Sequence, residues 1–290
     1  MTEHQGTETP SRGRFVVLGA GGKTGGRVAH RLRARGYAVS EASRSTTPRF
    51  DWGDSSTWGP TLEGATGLYA TYFPDLAAPG ATEAVAGLAE VAREAGVDRA
   101  VLLSGRGEPA ARAGEDAFLA GLPGADVVRC AWFDQNFTEG IFIPAVASGV
   151  ISLPAPSGAA EPFVDAEDIA DCAVELLTRP SPAGGVHELT GPSAVTLAEV
   201  AEILGAARSA PIRYEETDLA GFARVLEEEG LPPDDAEALA YVFAETFDGR
   251  NTPTTTTVHD LLGRSPRTLT AFAADAQRAG TLARPMVVTR

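Results

Sequence analysis

The stretch Arg14–Gly26, Arg-Phe-Val-Val-Leu-Gly-Ala-Gly-Gly-Lys-Thr-Gly-Gly, decides the fold. Its apolar run Phe15–Leu18 is typical of a strand buried on both faces of a parallel sheet, and Arg27–Arg35 is predicted to form a helix. Three glycines recur between them at three-residue spacing: Gly19, Gly22 and Gly25. A strand, a glycine turn and a helix in this order present backbone N–H groups and the positive end of a helix to a phosphate.

The glycine turn also resembles two other motifs. Gly21 makes the commoner Gly-x-Gly-x-x-Gly pattern partly readable, and Gly22-Lys23-Thr24 imitates the end of a nucleoside-triphosphate P-loop. A P-loop needs a glycine five residues before Gly22, where Val17 stands, so that interpretation fails. A turn that binds no ligand remains the alternative. The residues expected to contact a dinucleotide are Gly19, Gly22, Lys23, Thr24 and Gly25.

Composition limits the possible partners. A chain of 290 residues can bury a large core, and its 43% hydrophobic and 22% charged content are ordinary for a globular protein. The net charge of −15 argues against binding to nucleic acid or to an anionic membrane. We therefore expect a small-molecule substrate, and a monomer or a homodimer.

The cysteines and the first residues indicate a cytoplasmic protein. Cys130 and Cys172 lie far apart without a CxxC pair, which predicts neither a disulfide framework nor a thiolate metal site. The four histidines lack the spacing of metal ligands, so no metal is expected. Met1–Arg12 is polar and contains no apolar core, which predicts a disordered leader rather than a signal peptide. No apolar run approaches the ~18 residues of a membrane helix.

Alternating strands and helices predict an α/β fold, a Rossmann-type doubly wound parallel sheet with a small, mainly helical C-terminal substrate lobe. We expect a leader over residues 1–13, an NADP-binding core over 14–150, and the remaining core elements with the substrate lobe over 151–290, all as one intertwined unit. The strands predicted for the first part are Phe15–Leu18, Tyr37–Ala42, Gly67–Phe73, Arg99–Leu103 and Ala125–Arg129. The crevice beyond their carboxyl ends is the expected binding site.

The residues after the second strand indicate NADPH as the cofactor. NAD-binding proteins place Asp or Glu at the end of that strand, whereas NADP-binding proteins place Arg nearby for the 2′-phosphate. Here the sequence is Ser43-Arg44-Ser45, a guanidinium between two hydroxyls. Glu41 is the counter-indication, but strand alternation turns it away from Ala42 and it lies before the strand end. A solvated loop arginine is the alternative.

Further polar and aromatic residues follow the other strands. Asp51 and Trp52 lie in a loop that we expect to wall the adenine. Tyr72 and Phe73 end the third strand, and all four are assigned to the cofactor site with Ser104 at the end of the fourth strand. A serine hydroxyl there either contacts a substrate or forms a hydrogen bond with a backbone group at the strand end.

A dense cluster of aromatic and amide residues, Trp132–Phe137, follows the fifth strand. The residues predicted to line a substrate pocket are Tyr72, Phe73, Trp132, Asn136 and Phe137. Ordinary core packing is the alternative for each aromatic ring. Two helix starts follow: Asp165 is a predicted N-cap with Asp168 three residues on, and Thr196 with Glu199 fits a capping box.

Taken together, these residues resemble the NmrA-like branch of the atypical short-chain dehydrogenase/reductases, and most closely the reductases similar to festuclavine dehydrogenase. The stretches that carry the resemblance are Gly19–Gly25, Ala42–Arg44, Phe50–Trp52, Ser104–Glu108, Arg129–Phe137, Val164–Ala170, Glu188–Pro192 and Leu261–Arg264. They span nearly the whole chain, and the set in order is specific although each alone is weak. The resemblance implies a Rossmann core, NADP(H) in the crevice and a small substrate lobe, but no particular substrate.

One departure from the wider superfamily bears on the chemistry. Typical members carry Tyr-x-x-x-Lys about a dozen residues after the serine at Ser104, where this chain has Glu115–Ala120 without tyrosine or lysine. Reduction of a ketone leaves negative charge on oxygen and needs such a pair. An iminium carbon is neutralised by hydride, and a conjugated acceptor spreads the charge. The missing pair therefore favours C=N, conjugated C=C or quinone acceptors.

Two classes of function remain open at this point. The first is an NADPH-dependent reductase of a small, aromatic or heterocyclic secondary metabolite, with Ser104 and Glu108 as catalytic candidates and Asn136 as a further polar contact. The second is a non-catalytic dinucleotide sensor, since NmrA itself resembles a regulator that binds the cofactor without turnover. The reductase is preferred because the closer matches are reductases and the aromatic cluster offers a pocket.

Overall fold

The structure is a computed structural model that describes residues 13–182 and 184–282. The strands are β1 (Arg14–Leu18), β2 (Ala38–Ala42), β3 (Gly67–Ala70), β4 (Arg99–Gly105), β5 (Asp126–Cys130), β6 (Val150–Leu153), β7 (Ala160–Glu161), β8 (Gly185–Leu189), β9 (Val195–Thr196) and β10 (Arg213–Glu216). The helices are α1 (Gly25–Ala34), α2 (Trp58–Leu62), α3 (Ala81–Glu94), α4 (Ala111–Gly121), α5 (Ile143–Ser148), α6 (Ala166–Thr178), α7 (Leu197–Ala207), α8 (Leu219–Glu228), α9 (Pro233–Thr246), α10 (Thr257–Leu262) and α11 (Leu269–Ala279).

A six-stranded sheet in the order β2-β1-β3-β4-β5-β8 organises the fold. Strand β1 pairs in parallel with β2 and β3, and β3 pairs in parallel with β4. In the register of this sheet Val17 lies opposite Glu41 and Tyr69, and Ala70 lies opposite Leu102. The carboxyl ends of β1, β3 and β4 therefore lie along one edge, and the predicted Rossmann-type α/β fold is confirmed.

The chain divides into two compact units, each with its own core. The first comprises residues up to Ser104, Ala110–Val128 and Ala170–Val186. Its core is formed by the apolar residues of the strands and of α1 to α4, among them Val16, Leu18, Val28, Leu68, Leu88, Leu102 and Phe118. Valine, leucine, alanine and phenylalanine fill it because a strand between two helical layers has no polar face.

The second unit comprises Gly105–Pro109, Arg129–Ile169 and the residues from His187 onward. Small two-stranded sheets, β6 with β10 and β7 with β9, accompany α5 and α7 to α11. Its core is rich in phenylalanine: Phe137, Phe142, Phe163, Phe222, Phe243, Phe247 and Phe272. The expected division into residues 14–150 and 151–290 stays a prediction. The chain leaves the first unit near the end of β4, returns to it before α4, leaves it again within β5 and returns within α6 as far as Val186.

Local signals placed most element boundaries. Gly36 has φ +83° directly after α1, as a glycine that ends a helix requires. At the start of α7, Thr196 accepts from the Glu199 N–H and the Glu199 carboxylate accepts from the Thr196 N–H, so the capping box is confirmed. The strand predicted over Gly67–Phe73 ends earlier, at Ala70, and β8 carried no prediction. The predicted leader lies outside the described residues except for Gly13.

Neither a membrane-spanning helix nor a metal-binding cluster is found among the described residues. Over residues 13–182 and 184–282, no helix combines the length and the apolar character needed to span a bilayer. The same part of the chain shows no group of three or more His, Cys, Asp or Glu side chains arranged to hold a metal ion.

Candidate functional site

The three glycines of the turn between β1 and α1 have different structural reasons. Gly19 has φ +76°, a conformation that other residues rarely adopt, and a Cβ there would overlap the side chain of Thr71. A Cβ on Gly25 would lie 2.7 Å from the carbonyl carbon of Gly19 and 3.0 Å from the Cα of Ala20. Gly19 thus makes the tight turn, and Gly25 lets helix α1 approach the turn closely.

Gly22 is not required by packing within the chain. A Cβ there would have one heavy-atom neighbour within 4 Å, the carbonyl oxygen of Gly19 at 3.3 Å, and Gly21 has none. The Gly22 N–H donates to that same carbonyl at 2.9 Å, which closes the turn. The middle of the turn therefore keeps its backbone exposed, which is the surface that the pyrophosphate of a dinucleotide contacts.

Helix α1 adds positive potential behind this turn. Its first turn contains no acidic side chain, and Thr24, at the N-cap position, makes no side-chain capping bond although it is buried. Arg27 donates to the carbonyl oxygen of Lys23 at 2.6 Å. A helix N-terminus without an acidic residue and with Lys23 and Arg27 beside it is suited to an anion.

The loop after β2 is ordered by its hydroxyl groups and leaves its arginine without a partner. The Ser43 and Ser45 hydroxyls lie 3.1 Å apart, and Thr46 Oγ1 accepts from the Ser43 N–H at 2.9 Å. Arg44 is exposed and forms no hydrogen bond or ion pair with any described residue. Glu41, the counter-indication, pairs with Arg33 at 2.5 Å. The free cation at the strand end is therefore Arg44, whereas the nearby carboxylate is already paired.

An aromatic group lies beside this loop in the first unit. Trp52 contacts the ring of Tyr72 with centroids 4.8 Å apart, and its Nε1 donates to the Thr71 carbonyl at 3.2 Å. Asp51 shapes the same loop by accepting from the Gly53 N–H, and it pairs with Arg49 at 2.5 Å. Trp52 and Tyr72 are thus brought together at the carboxyl side of β3.

Ser104 and Glu115 form a buried pair at the end of β4. The Ser104 hydroxyl donates to Glu115 Oε1 at 2.5 Å, and the two residues are 4% and 1% exposed. Glu115 lies on helix α4, in the segment where typical superfamily members carry Tyr-x-x-x-Lys. Sequence reasoning noted this segment only for what it lacks. The signal that could have identified Glu115 is its charge at a helix position on the same face as Ala111 and Phe118, which the apolar pattern buries.

The residues predicted for the substrate pocket have different environments. Trp132 is half-buried and stacks on Phe243 with centroids 4.8 Å apart. Asn136 is half-buried and its amide forms no hydrogen bond with a described residue. Phe137 has no exposed surface and packs on Phe142, 5.2 Å away between centroids. For Phe137 the structure supports core packing, because its ring is fully buried and also packs on Phe163, 5.6 Å away between centroids.

Tyr72 and Phe73 belong to the first unit, and the Phe73 ring is 74% exposed. Trp132, Asn136 and Phe137 belong to the second unit. Convergence of these five residues on one substrate stays a prediction.

The second unit contains a carboxylate that sequence reasoning missed, Glu161 on β7. It is 2% exposed, and its Oε1 accepts from the Trp132 N–H at 3.4 Å. Burial raises the pKa of Glu161 to about 7, against the opposing effects of the Trp132 N–H and of Arg106. No local motif marks this residue.

Glu108, the predicted catalytic candidate, folds back on its own loop: a Cβ on Gly105 would lie 2.6 Å from its carboxyl carbon.

A second carboxylate group surrounds the start of α6. Asp165 caps the helix by accepting from the Glu167 N–H at 2.9 Å, as predicted, and pairs with Arg267 at 2.6 Å. Asp168 pairs with Arg264 at 2.7 Å. Asp134 is fully buried and neither of its carboxyl oxygens has a hydrogen-bond partner among the described residues. Burial first, and then the charges of Asp165 and Asp168, raise the pKa of Asp134 well above its usual value.

Comparison with known proteins gives relatives along nearly the whole chain. No protein-family model matches it. It is 30% identical over 285 residues to an uncharacterized oxidoreductase, YesF, of Bacillus subtilis, covering 90% of this chain and 94% of that protein. It is also 30% identical over 284 residues to agroclavine dehydrogenase of Claviceps fusiformis, covering 90% of this chain and 96% of that protein.

A solved structure supports the same grouping at the level of fold. The triphenylmethane reductase of Citrobacter sp., crystallised with NADP(H), superposes with a TM-score of 0.76 at 19% identity, over 91% of this chain and 99% of that one. The glycine turn, the parallel sheet and the two relatives that match nearly the whole chain all indicate the same family. The chain therefore belongs to the NmrA-like branch of the atypical short-chain dehydrogenase/reductases.

Proposed function

We propose that the protein is an NADPH-dependent reductase that acts on an activated C=N bond, a conjugated C=C bond or a quinone in a small secondary metabolite. The observation that carries this proposal is the open middle of the glycine turn. Gly22 is a glycine that the chain's own packing does not need, directly before a helix N-terminus without acidic residues. The names of the two relatives, an oxidoreductase and a dehydrogenase, support redox chemistry.

The residues present fit NADPH. The backbone at Gly22 and the N-terminus of α1 would hold the pyrophosphate, with Lys23 beside them. Arg44, exposed and without a partner in the described part of the chain, would hold the 2′-phosphate between the hydroxyls of Ser43 and Ser45. Trp52, in the loop after β2, and Tyr72, just after β3, have rings in contact and would flank the bound cofactor. Once bound, NADPH would supply a hydride.

The preference for an activated acceptor rests on Ser104, whose hydroxyl proton is not available to a substrate. The single proton of the Ser104 hydroxyl is donated to Glu115. The phenol and the ammonium of Tyr-x-x-x-Lys are missing from the sequence. An alkoxide that develops from a simple ketone would thus lack the usual donor. Acceptors that begin with positive charge, or that spread negative charge over a conjugated system, have less need of one.

Cofactor preference can be tested by thermal unfolding with NADPH and with NADH at equal concentration. A ligand that binds only the folded state raises the melting temperature, and NADPH should raise it more. Arg44→Ala should reduce the preference for NADPH by about 1–3 kcal/mol, the range of a charge-assisted hydrogen bond. Arg93→Ala is the matched control, because Arg93 is also exposed and without a partner among the described residues, and lies in the last turn of α3 instead of the loop after β2. Equal stabilisation of the parent by both cofactors would refute the assignment.

Turnover can be tested with three groups of acceptors: cyclic iminium ions, quinones or enones, and unactivated ketones. We expect loss of NADPH absorbance with one or both of the first two groups and little with ketones. Efficient reduction of simple ketones would contradict the proposed chemistry. Tight NADPH binding without turnover on any group would favour the dinucleotide sensor.

A further inference from the structure

The Ser104–Glu115 pair lies at the edge of the sheet where the proposed cofactor site is. Ala70 and Leu102 are opposite each other in the register of β3 and β4. Tyr72 lies just beyond the end of β3 and Ser104 is the penultimate residue of β4, so both lie at the carboxyl ends of neighbouring strands. The glycine turn follows β1 at this same edge, because β1 and β3 are also parallel neighbours.

The direction of the hydrogen bond determines what Ser104 can offer to a ligand. A hydroxyl has one proton and two lone pairs. The proton is donated to Glu115 Oε1 at 2.5 Å. No described residue donates a hydrogen bond to Ser104 Oγ. Held in this way, Ser104 is available as an acceptor and is not available as a proton donor.

Burial strengthens the effect of the carboxylate. Glu115 is 1% exposed, whereas its neighbour Asp116 lies on the exposed side of α4. Water screens a buried charge much less than an exposed one. A ligand that contacts Ser104 therefore lies close to negative charge that is poorly screened, through a hydroxyl polarised by that charge.

From this geometry we infer that Glu115 is a positioning residue that fixes Ser104 as a hydrogen-bond acceptor and thereby selects substrates with a positively charged N–H group, that is, protonated imines. The inference rests on the proposed function. The carbon of a protonated imine accepts the hydride and its electron pair from NADPH, and a C–H bond forms there. The C=N π pair moves to nitrogen, whose N–H stays bound to Ser104 Oγ. The products are a neutral amine and NADP⁺, so no proton donor is needed.

Three acceptors test this inference: dihydroisoquinolinium, which has a charged N–H, its N-methyl iminium salt, which has the charge alone, and menadione, which has neither. Glu115→Gln should lower the kcat/KM of both cations relative to menadione by roughly 10- to 100-fold, the range for losing one charge-assisted contact. Ser104→Ala should lower the value for the protonated imine about 10-fold relative to the N-methyl salt. Asp116→Asn removes the same charge one residue away and should leave all ratios as in the parent.

Binding gives a readout that is independent of turnover. Tetrahydroisoquinoline is a cation at neutral pH, and isochroman is its neutral analogue with oxygen in the ring. Calorimetric titration of the NADP⁺-loaded protein should show tighter binding of the cation. Glu115→Gln should reduce this preference by the same factor as it reduces the kinetic ratio.

The outcomes separate this inference from the function on which it rests. Unchanged ratios in Glu115→Gln, or a parent that reduces menadione but neither cation, would overturn the inference and leave the reductase intact. A parent that reduces none of the three acceptors would overturn both. If Glu115→Gln does not fold, the comparison of Ser104→Ala on the two cations decides, and equal loss on both would overturn the role of Ser104 as acceptor.

Discussion

A methyl group added at Gly22 should impair cofactor binding but not folding, whereas a methyl group added three residues later, at Gly25, should destabilise the fold. At Gly22 the new Cβ would have one neighbour within 4 Å, the Gly19 carbonyl oxygen at 3.3 Å. At Gly25 it would overlap backbone, 2.7 Å from the carbonyl carbon of Gly19 and 3.0 Å from the Cα of Ala20. Backbone atoms cannot rotate out of the way as the end of a side chain can. The two substitutions are chemically identical but meet different obstacles.

The expected stabilities follow from these contacts. Gly22→Ala needs a shift of a few tenths of an ångström, and loss of unfolded-chain entropy offsets that by about 0.4–1 kcal/mol. The variant should therefore unfold within about 1 kcal/mol of the parent. Gly25→Ala gains about 1 kcal/mol of helix propensity. It loses about 1–3 kcal/mol or more to overpacking, so it should be the less stable of the two.

The stabilisation by NADPH should be lost in Gly22→Ala, although this variant is the more stable of the two. At a hundred times its Kd, NADPH should stabilise the parent by about 2.7 kcal/mol. For a chain of this size that corresponds to a melting temperature roughly 5–10 °C higher. In Gly22→Ala the methyl group would stand between the turn and the pyrophosphate, and the NADPH-induced shift should vanish. Gly22→Val should have the same effect with a larger group.

Differential scanning fluorimetry with and without NADPH measures both quantities. Gly59→Ala is the control, because Gly59 lies in helix α2 and a Cβ there has no neighbour within 4 Å. It should be at least as stable as the parent and respond fully to NADPH. A folded Gly22→Ala that bound NADPH as the parent does would show that the glycine run is only a turn. A Gly25→Ala variant as stable as Gly22→Ala would refute the packing argument.

Two further predictions concern the second unit. Burial and two neighbouring carboxylates raise the pKa of Asp134 in the folded state, so the free energy of unfolding should fall as pH rises above the usual pKa of an aspartate, by at most about 1.4 kcal/mol per pH unit from this group. Asp134→Asn should reduce this slope in urea unfolding, Glu161 and Asp168 contributing what remains, and a variant with the parent's slope would disprove it. Phe137→Ala should cost about 3–5 kcal/mol, as for other fully buried phenylalanines. A variant as stable as the parent would restore Phe137 as a candidate pocket wall.

The sequence predicted the cofactor side of the fold well because its signals are local. An apolar run, a glycine turn and an amphipathic helix lie within one short stretch, and each acts on its immediate neighbours. The same holds for the cap at Asp165 and the capping box at Thr196, where donor and acceptor are two or three residues apart. Strand β8 was missed because the alternation of its side chains is weak and its pairing partner lies far away in the chain.

The sequence could not predict which aromatic and carboxylate side chains are buried. Phe137 and Trp132 belong to one aromatic cluster in the sequence, yet Phe137 is fully buried and Trp132 only half-buried. The difference depends on packing against residues far along the chain, Phe163 for Phe137 and Phe243 for Trp132. Glu161 and Asp134 resemble ordinary surface carboxylates in the sequence. Their pKa values are raised chiefly because packing removes water from them, and for Asp134 also because packing places Asp165 and Asp168 nearby.

The sequence by itself determined the Rossmann core and the glycine turn between its first strand and first helix. Only the tertiary structure decided that the Ser104 hydroxyl donates to Glu115. That pairing joins residues 11 positions apart through the packing of α4 against the sheet. Hydrogen bonds within a turn are fixed by bond geometry and spacing along the chain. A hydrogen bond between a strand end and a helix depends on where the whole core places both, and no local pattern encodes that position.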